Sequence, residues 1–151
     1  MAPKRQIALA AALGLAALAG LGGLLLWPSA SGAQEHGRQI YLDNCAACHG
    51  ADREGQADWR RPGPSGRLPA PPHDETGHTW HHPDRVLRDI VLRGTAAIVG
   101  QGYESDMPGF EGVLSADEIE AVLDYLKSEW PDRERAFQEQ VTETEAGEDR
   151  P

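Results

Sequence analysis

The chain has 151 residues, room for one compact domain, with 24 acidic and 14 basic residues and a net charge of −10. Of the basic residues only Lys4 and Arg5 precede Glu35, so from Gln34 onward 12 basic residues face 24 acidic ones, a net charge of −12. Such a body is repelled by nucleic acid and by anionic lipid, and attracted to basic partners at low salt, which argues against nucleic acid as a partner.

Lys4 and Arg5 precede an apolar run from Ile7 to Trp27, Pro28 ends it, and Ser31, Gly32 and Ala33 are small residues of the kind a signal peptidase cuts beside. Residues 1–33 therefore read as an export segment, either a signal peptide cleaved after Ala33 or a membrane anchor over residues 7–27. The run exceeds the roughly 7 to 15 residues of a usual signal core and suffices for the about 20 residues that cross a bilayer. The anchor is the favoured reading, with its basic N-terminus in the cytoplasm. Either reading puts the rest of the chain outside the cytoplasm.

Glu35 to Ala47 reads as a helix that leads into Asn44-Cys45-Ala46-Ala47-Cys48-His49-Gly50. Cys45, Cys48 and His49 form C-x-x-C-H, the attachment sequence for a c-type haem. On one helical turn the two thiols can each add across a vinyl group of the same porphyrin, leaving the adjacent imidazole under the ring to bind iron. A thioredoxin-like dithiol wants a βαβ context, and a structural zinc wants two further ligands at matching spacing. No other cysteine exists in the chain. The expectation is one haem c, covalent through Cys45 and Cys48, with His49 as an iron ligand. Aromatic residues are only 6% of the chain, and a buried haem would supply flat apolar surface that a small domain otherwise lacks.

The stretch Gly37-Arg-Gln-Ile-Tyr41-Leu-Asp-Asn-Cys45-Ala-Ala-Cys48-His49-Gly50 resembles the first helix of class I cytochromes c. The resemblance implies an all-α cytochrome c fold over residues 34–130, with three to four helices wrapped around one covalently attached haem, behind an N-terminal transmembrane or signal helix. It implies that Gly37 lets the first helix cross the last one closely, with Tyr41 packed at the same crossing; a helix glycine otherwise costs about 1 kcal/mol against alanine. It also implies a bacterial, periplasmic setting, on the outer side of the inner membrane if anchored and in solution if cleaved.

Ala51 to His82 is rich in Gly and Pro, including Arg61-Pro62-Gly63-Pro64 and Leu68-Pro69-Ala70-Pro71-Pro72, and reads as an irregular loop. A loop this long inside a domain calls for a functional reason, and wrapping a haem is sufficient. The resemblance implies that a proline here offers its carbonyl to the ring nitrogen of the iron-binding histidine. Pro71 is the candidate, with Pro69 and Pro72 beside it. Such a bond would fix the tautomer of His49 and raise its electron donation. His73, His78, His81 and His82 follow. Copper or zinc binding is one reading of that cluster, although nearby cysteines and paired carboxylates are lacking. Hydrogen bonding to haem propionates by Trp80, His81 or Arg67 is favoured, and plain solvated loop positions are the alternative.

Pro83 to Arg93 spaces Val86, Leu87, Ile90 and Val91 as an amphipathic helix, with Pro83 at its first position and Gly94 as its C-cap. Thr95 to Phe110 shows no helical period and contains Met107, the only methionine besides Met1. Its place in Asp106-Met107-Pro108-Gly109-Phe110, before the last helix, resembles the sixth-ligand loop of class I cytochromes c. That implies Met107 as the second axial ligand and a raised reduction potential. Ser115 and Glu118 form a capping box, after which Ile119, Val122, Leu123 and Leu126 make one apolar face with Tyr125 and Trp130 beside it. Pro131 ends this helix, and residues 131–151, acidic and poor in apolar side chains, read as a disordered tail or a frayed helix.

The function these features imply is single-electron transfer between larger redox proteins outside the cytoplasm, through a haem cycling between ferric and ferrous iron. No nucleophile is paired with an oriented base, so an enzyme is not expected. Expected partners are redox proteins with basic docking surfaces, and the membrane through the N-terminal segment. Two alternatives stand beside this reading. One is a haem enzyme or small-ligand binder with an open or labile sixth iron position; the other is a haem subunit of a larger oxidoreductase.

Overall fold

The computed structural model describes residues 30–148, so the export segment expected over residues 1–33 lies almost wholly outside the described residues. Among the described residues no helix is long and apolar enough to cross a membrane. Among the described residues the regular elements are helices, joined by a long irregular loop after His49: α1 spans Ala30–Asn44, α2 Ala46–His49, α3 Asp84–Arg93, α4 Thr95–Val99, α5 Ala116–Ser128 and α6 Asp132–Glu148, with a short 3-10 turn at Thr79–His81. An isolated bridge pairs Glu111 with Leu114.

Five α-helical segments, α1 to α5, serve the stretch up to residue 130 where three to four helices were expected, for local reasons. The helix expected to run from Glu35 to Ala47 is interrupted at Cys45, which leaves α2 as a separate turn. Pro83 stands outside α3 as its cap, with extended backbone (φ −68°, ψ 159°), rather than at its first helical position. The stretch expected to lack helix contains α4, five residues bracketed by Gly94 and Gly100.

The core joins Ile40 and Tyr41 of α1, Leu87 of α3, Ile119, Val122, Leu123, Tyr125 and Leu126 of α5, and Trp130. Its centre is the crossing of α1 and α5. A side chain at Gly37 would overlap the Ala121 carbonyl and bring its Cβ to 2.9 Å from the Tyr125 Cβ, so the two helices meet backbone to backbone. One turn on, Tyr41 is fully buried, its ring 5.7 Å from that of Tyr125. Its hydroxyl donates to the Gly50 carbonyl at 2.7 Å, which ties the core to the end of α2. Burial raises the Tyr41 hydroxyl above the ordinary tyrosine range, so it stays protonated and able to donate. The start of α5 is the expected capping box: Ser115 Oγ accepts from the Glu118 amide at 3.3 Å, and Glu118 accepts from the Ser115 amide at 2.8 Å.

The described part of the expected 131–151 tail departs most from expectation. In place of a disordered or frayed tail, Asp132–Glu148 forms the 17-residue helix α6. It is docked mainly by polar groups, which is why its apolar-poor composition misleads. Gln138, 2% exposed, donates from Nε2 to Asp84 at 2.6 Å and to Thr142 at 3.0 Å. The Asp84 amide donates to Thr142 Oγ1 at 3.1 Å, and Arg85 pairs with Glu145. Phe137 adds an apolar contact, edge-on to Trp80 and His81 with both ring centroids at 5.4 Å.

Candidate haem site

The single turn of α2 sets the relation of the two thiols and the imidazole. The amides of Cys48 and His49 both donate to the Cys45 carbonyl, at 3.1 and 2.9 Å, so Cys45, Cys48 and His49 lie on adjoining rows of one turn. Both cysteines are free, Cys48 exposed and Cys45 half-buried. Burial, reinforced by the neighbouring Cys48, pushes the Cys45 thiol up to about 11, the opposite of the depressed thiol of a redox dithiol.

His49 is 6% exposed, with Nδ1 2.8 Å from the carbonyl oxygen of Pro71. A carbonyl can only accept, so the proton is on Nδ1 and the lone pair is on Nε2. Burial lowers the His49 pKa, and the hydrogen bond to Pro71 opposes that only in part. The result is a neutral imidazole of fixed tautomer, the form in which histidine binds a metal.

The Pro71 carbonyl is held in place by two antiparallel pieces of loop. The Gly55 amide donates to the His49 carbonyl at 2.7 Å, the Gln56 amide to Ala70 at 2.9 Å, and the His73 amide to Arg53 at 2.8 Å; the Gln56 side chain accepts from the Ala70 amide at 3.0 Å. Gly55, at φ +68°, lets these pieces touch, since a Cβ there would lie 2.7 Å from the carbonyl carbon of Pro71. Arg53 fastens the clamp to α5, its guanidinium donating to the Tyr125 hydroxyl at 2.6 Å and pairing with Glu129 at 2.8 Å.

The four loop histidines do not converge. The His73 ring stacks on His49 with centroids 4.0 Å apart and 25° between planes, and its Nδ1 shares a 2.7 Å hydrogen bond with Thr79. His81 stacks on Trp80 at 3.7 Å, while His78 lies between Trp59 at 5.4 Å and His82 at 5.5 Å. Among the described residues no group of three or more His, Cys, Asp or Glu is arranged to hold a metal ion, which leaves the copper or zinc reading without support. The place of His73 against His49 escaped sequence reasoning, which grouped it with its neighbours; its position two residues after Pro71 was the available signal.

Met107 lies on a loop fastened to the end of α3 by amide bonds from Phe110 to Val91 and from Glu111 to Leu92, both 3.0 Å. Thr95 Oγ1 donates to its sulfur at 3.3 Å, and its amide donates to Ser105 Oγ at 3.1 Å. The contacts thus bring His49 and Pro71 together beside the two cysteines, and place Met107 on a second loop. Arg67 links the two loops by pairing with Asp106, next to Met107, and with Glu104 at 3.4 Å. That guanidinium, considered above as a propionate donor, pairs with carboxylates of the chain itself, while its buried Nε–H has no hydrogen-bond partner among the described residues.

The residues suit a haem c in a further respect. The Trp80 indole N–H is buried and has no partner among the described residues, and an unpaired buried donor costs about 1–3 kcal/mol. A propionate carboxylate is the kind of acceptor it lacks. The cytochrome c family profile matches residues 34–130, and the chain belongs to the cytochrome c family. Membership together with the C-x-x-C spacing of Cys45 and Cys48 implies covalently bound haem c. Two curated relatives are subunits of cbb3-type cytochrome c oxidases. FixPc of Rhizobium leguminosarum bv. viciae is 50% identical over 40 residues, covering 26% of this chain and 14% of that protein. FixP of Azorhizobium caulinodans is 26% identical over 96 residues, covering 64% of this chain and 29% of that protein. The chain therefore spans less than a third of either relative's length. No solved structure matches it.

Proposed function

We propose that this protein is a mono-haem electron carrier working outside the cytoplasm, with His49 and Met107 as the residues that would bind the iron. The observation that carries the reading is the His49 Nδ1–H bond to the Pro71 carbonyl, 2.8 Å long, which leaves the Nε2 lone pair to bind a metal beside two thiols at attachment spacing. Bound haem c supplies an iron that takes up and releases one electron. Cys45 and Cys48 would hold the group covalently, His49 would donate to the metal with its basicity raised through Pro71, and the Met107 thioether would favour the ferrous state. Trp80 offers its N–H to a propionate. The acidic body, −12 from Gln34 onward, supports partners with basic docking surfaces. The export segment over residues 1–33 supports a periplasmic place, anchored through residues 7–27 or released after Ala33.

The similarity to FixP and FixPc favours one further reading, in which the domain serves as the haem subunit of a larger oxidoreductase. Recovery of the chain in a stable complex from detergent-solubilised membranes would support that reading over a free carrier. The carrier reading itself is tested by optical spectra of the purified protein, oxidised and reduced, with and without carbon monoxide. A low-spin c-type spectrum with a sulfur-to-iron band in the oxidised form, unmoved by carbon monoxide, is expected. A high-spin spectrum that shifts with carbon monoxide would instead mean an open iron and a ligand-binding or catalytic protein.

A further inference from the structure

The hydrogen bond to Pro71 fixes one nitrogen of His49 but leaves the plane of the ring free to swing about that bond. A contact that limits the swing is the His73 ring, stacked 4.0 Å away with 25° between planes. Nearly parallel stacked rings direct their in-plane lone pairs side by side, so the two imidazoles do not converge on one metal ion. His73 is itself pinned at three points. Its amide donates to Arg53 at 2.8 Å, its carbonyl accepts the Trp130 indole N–H at 2.7 Å, and its Nδ1 is bonded to Thr79 at 2.7 Å. Two of those points are main-chain and survive any substitution of the side chain. The third sets the ring's rotation, and Thr79, 7% exposed, is itself fixed by burial.

We infer that His73 is a positioning residue for the iron-binding histidine: oriented by Thr79, its ring holds the His49 imidazole in one plane against the Pro71 carbonyl. The inference rests on His49 being the axial ligand. If His73 were only filler, an aliphatic or small residue would serve as well and the Thr79 hydroxyl would be irrelevant to the iron.

The test uses the haem-loaded full chain and two readouts, the electron paramagnetic resonance of the ferric form and the reduction potential. His73→Ala is expected to broaden the low-spin signal, shift its largest g value and move the potential. Thr79→Val, which keeps both rings but removes the hydroxyl that orients His73, is expected to move the same g value in the same direction by less. His73→Phe, which keeps a flat ring, is expected to lie nearer the wild-type line shape than His73→Ala does. A wild-type signal and potential in both His73→Ala and Thr79→Val would overturn the inference. If His73→Ala yields no loaded protein, Thr79→Val decides alone, a shift supporting the inference and its absence overturning it. A wild-type protein lacking a histidine-ligated low-spin haem would overturn the functional reading and this inference with it. Unchanged variants of a normally ligated protein would overturn only the inference.

Discussion

The Pro71 carbonyl reaches Nδ1 of His49 at 2.8 Å across 22 residues of chain, and the proton between them belongs to the histidine. The acceptor is main-chain, and the clamp that holds it is built from main-chain pairs between residues 53–56 and 70–73 together with the Gln56 side chain.

Gly55 is the point at which that clamp can be forced open. In Gly55→Ala a Cβ would sit 2.7 Å from the Pro71 carbonyl carbon, on a residue whose φ of +68° disfavours any side chain. The left-handed conformation alone costs roughly 1–2 kcal/mol. A destabilisation of about 1–3 kcal/mol by denaturant unfolding is expected, with a changed reduction potential in the protein that still folds. Full stability and an unchanged potential would show that the Pro71 carbonyl tolerates displacement.

The two ends of the proposed iron site should separate cleanly by mutation. Met107→Ala is expected to retain covalent haem, since the two thioether links form at Cys45 and Cys48, while opening the iron to carbon monoxide and lowering the potential. Cys48→Ser is expected to lose one of the two thioether links, read as a red-shifted pyridine haemochrome. Carbon monoxide resistance in Met107→Ala would remove Met107 from the iron.

The crossing of α1 and α5 should bear on folding more than on redox chemistry. Gly37→Val places a branched side chain against the Ala121 carbonyl and the Tyr125 Cβ, where no flexible side-chain end can yield. A loss of about 2 kcal/mol or more is expected, measured as a lower denaturation midpoint, with the optical spectrum of the folded fraction unchanged.

Asp84 makes the docking of α6 sensitive to acid. Burial works against its charge, but hydrogen bonds from Lys127 and Gln138, helped by the charges of Lys127 and Arg88, outweigh it and hold the carboxyl below the usual aspartate range. A folded-state pKa below the unfolded one means that the unfolded chain binds more protons between the two values. The stabilisation is therefore present above about pH 4 and lost as pH falls through the folded-state pKa. Wild type should accordingly lose stability on acidification in a step that Asp84→Asn lacks. The variant should also cost about 1–2 kcal/mol at pH 7 and speed amide exchange over Asp132–Glu148. Identical acid limbs for the two proteins would exclude Asp84 as the acid-sensitive group.

What the sequence by itself determined is the chemistry carried by neighbours along the chain. Cys45, Cys48 and His49 could be read together because one helical turn places residues three and four apart on adjoining rows. The start of α5 was legible because Ser115 and Glu118 form its cap without help from elsewhere. Only the tertiary structure decided among Pro69, Pro71 and Pro72, since the choice depends on the pairing of Gln56 with Ala70 and of Arg53 with His73. The fold alone likewise lays the His73 ring on His49, which depends on contacts to Thr79 and Trp130. The helix α6 was hidden for a related reason. Its docking rests largely on polar contacts to residues far back in the chain, among them buried Gln138 bonded to an aspartate 54 residues earlier and Thr142 bonded to the same residue's amide, and a polar contact between distant residues leaves no periodic trace in the segment that makes it.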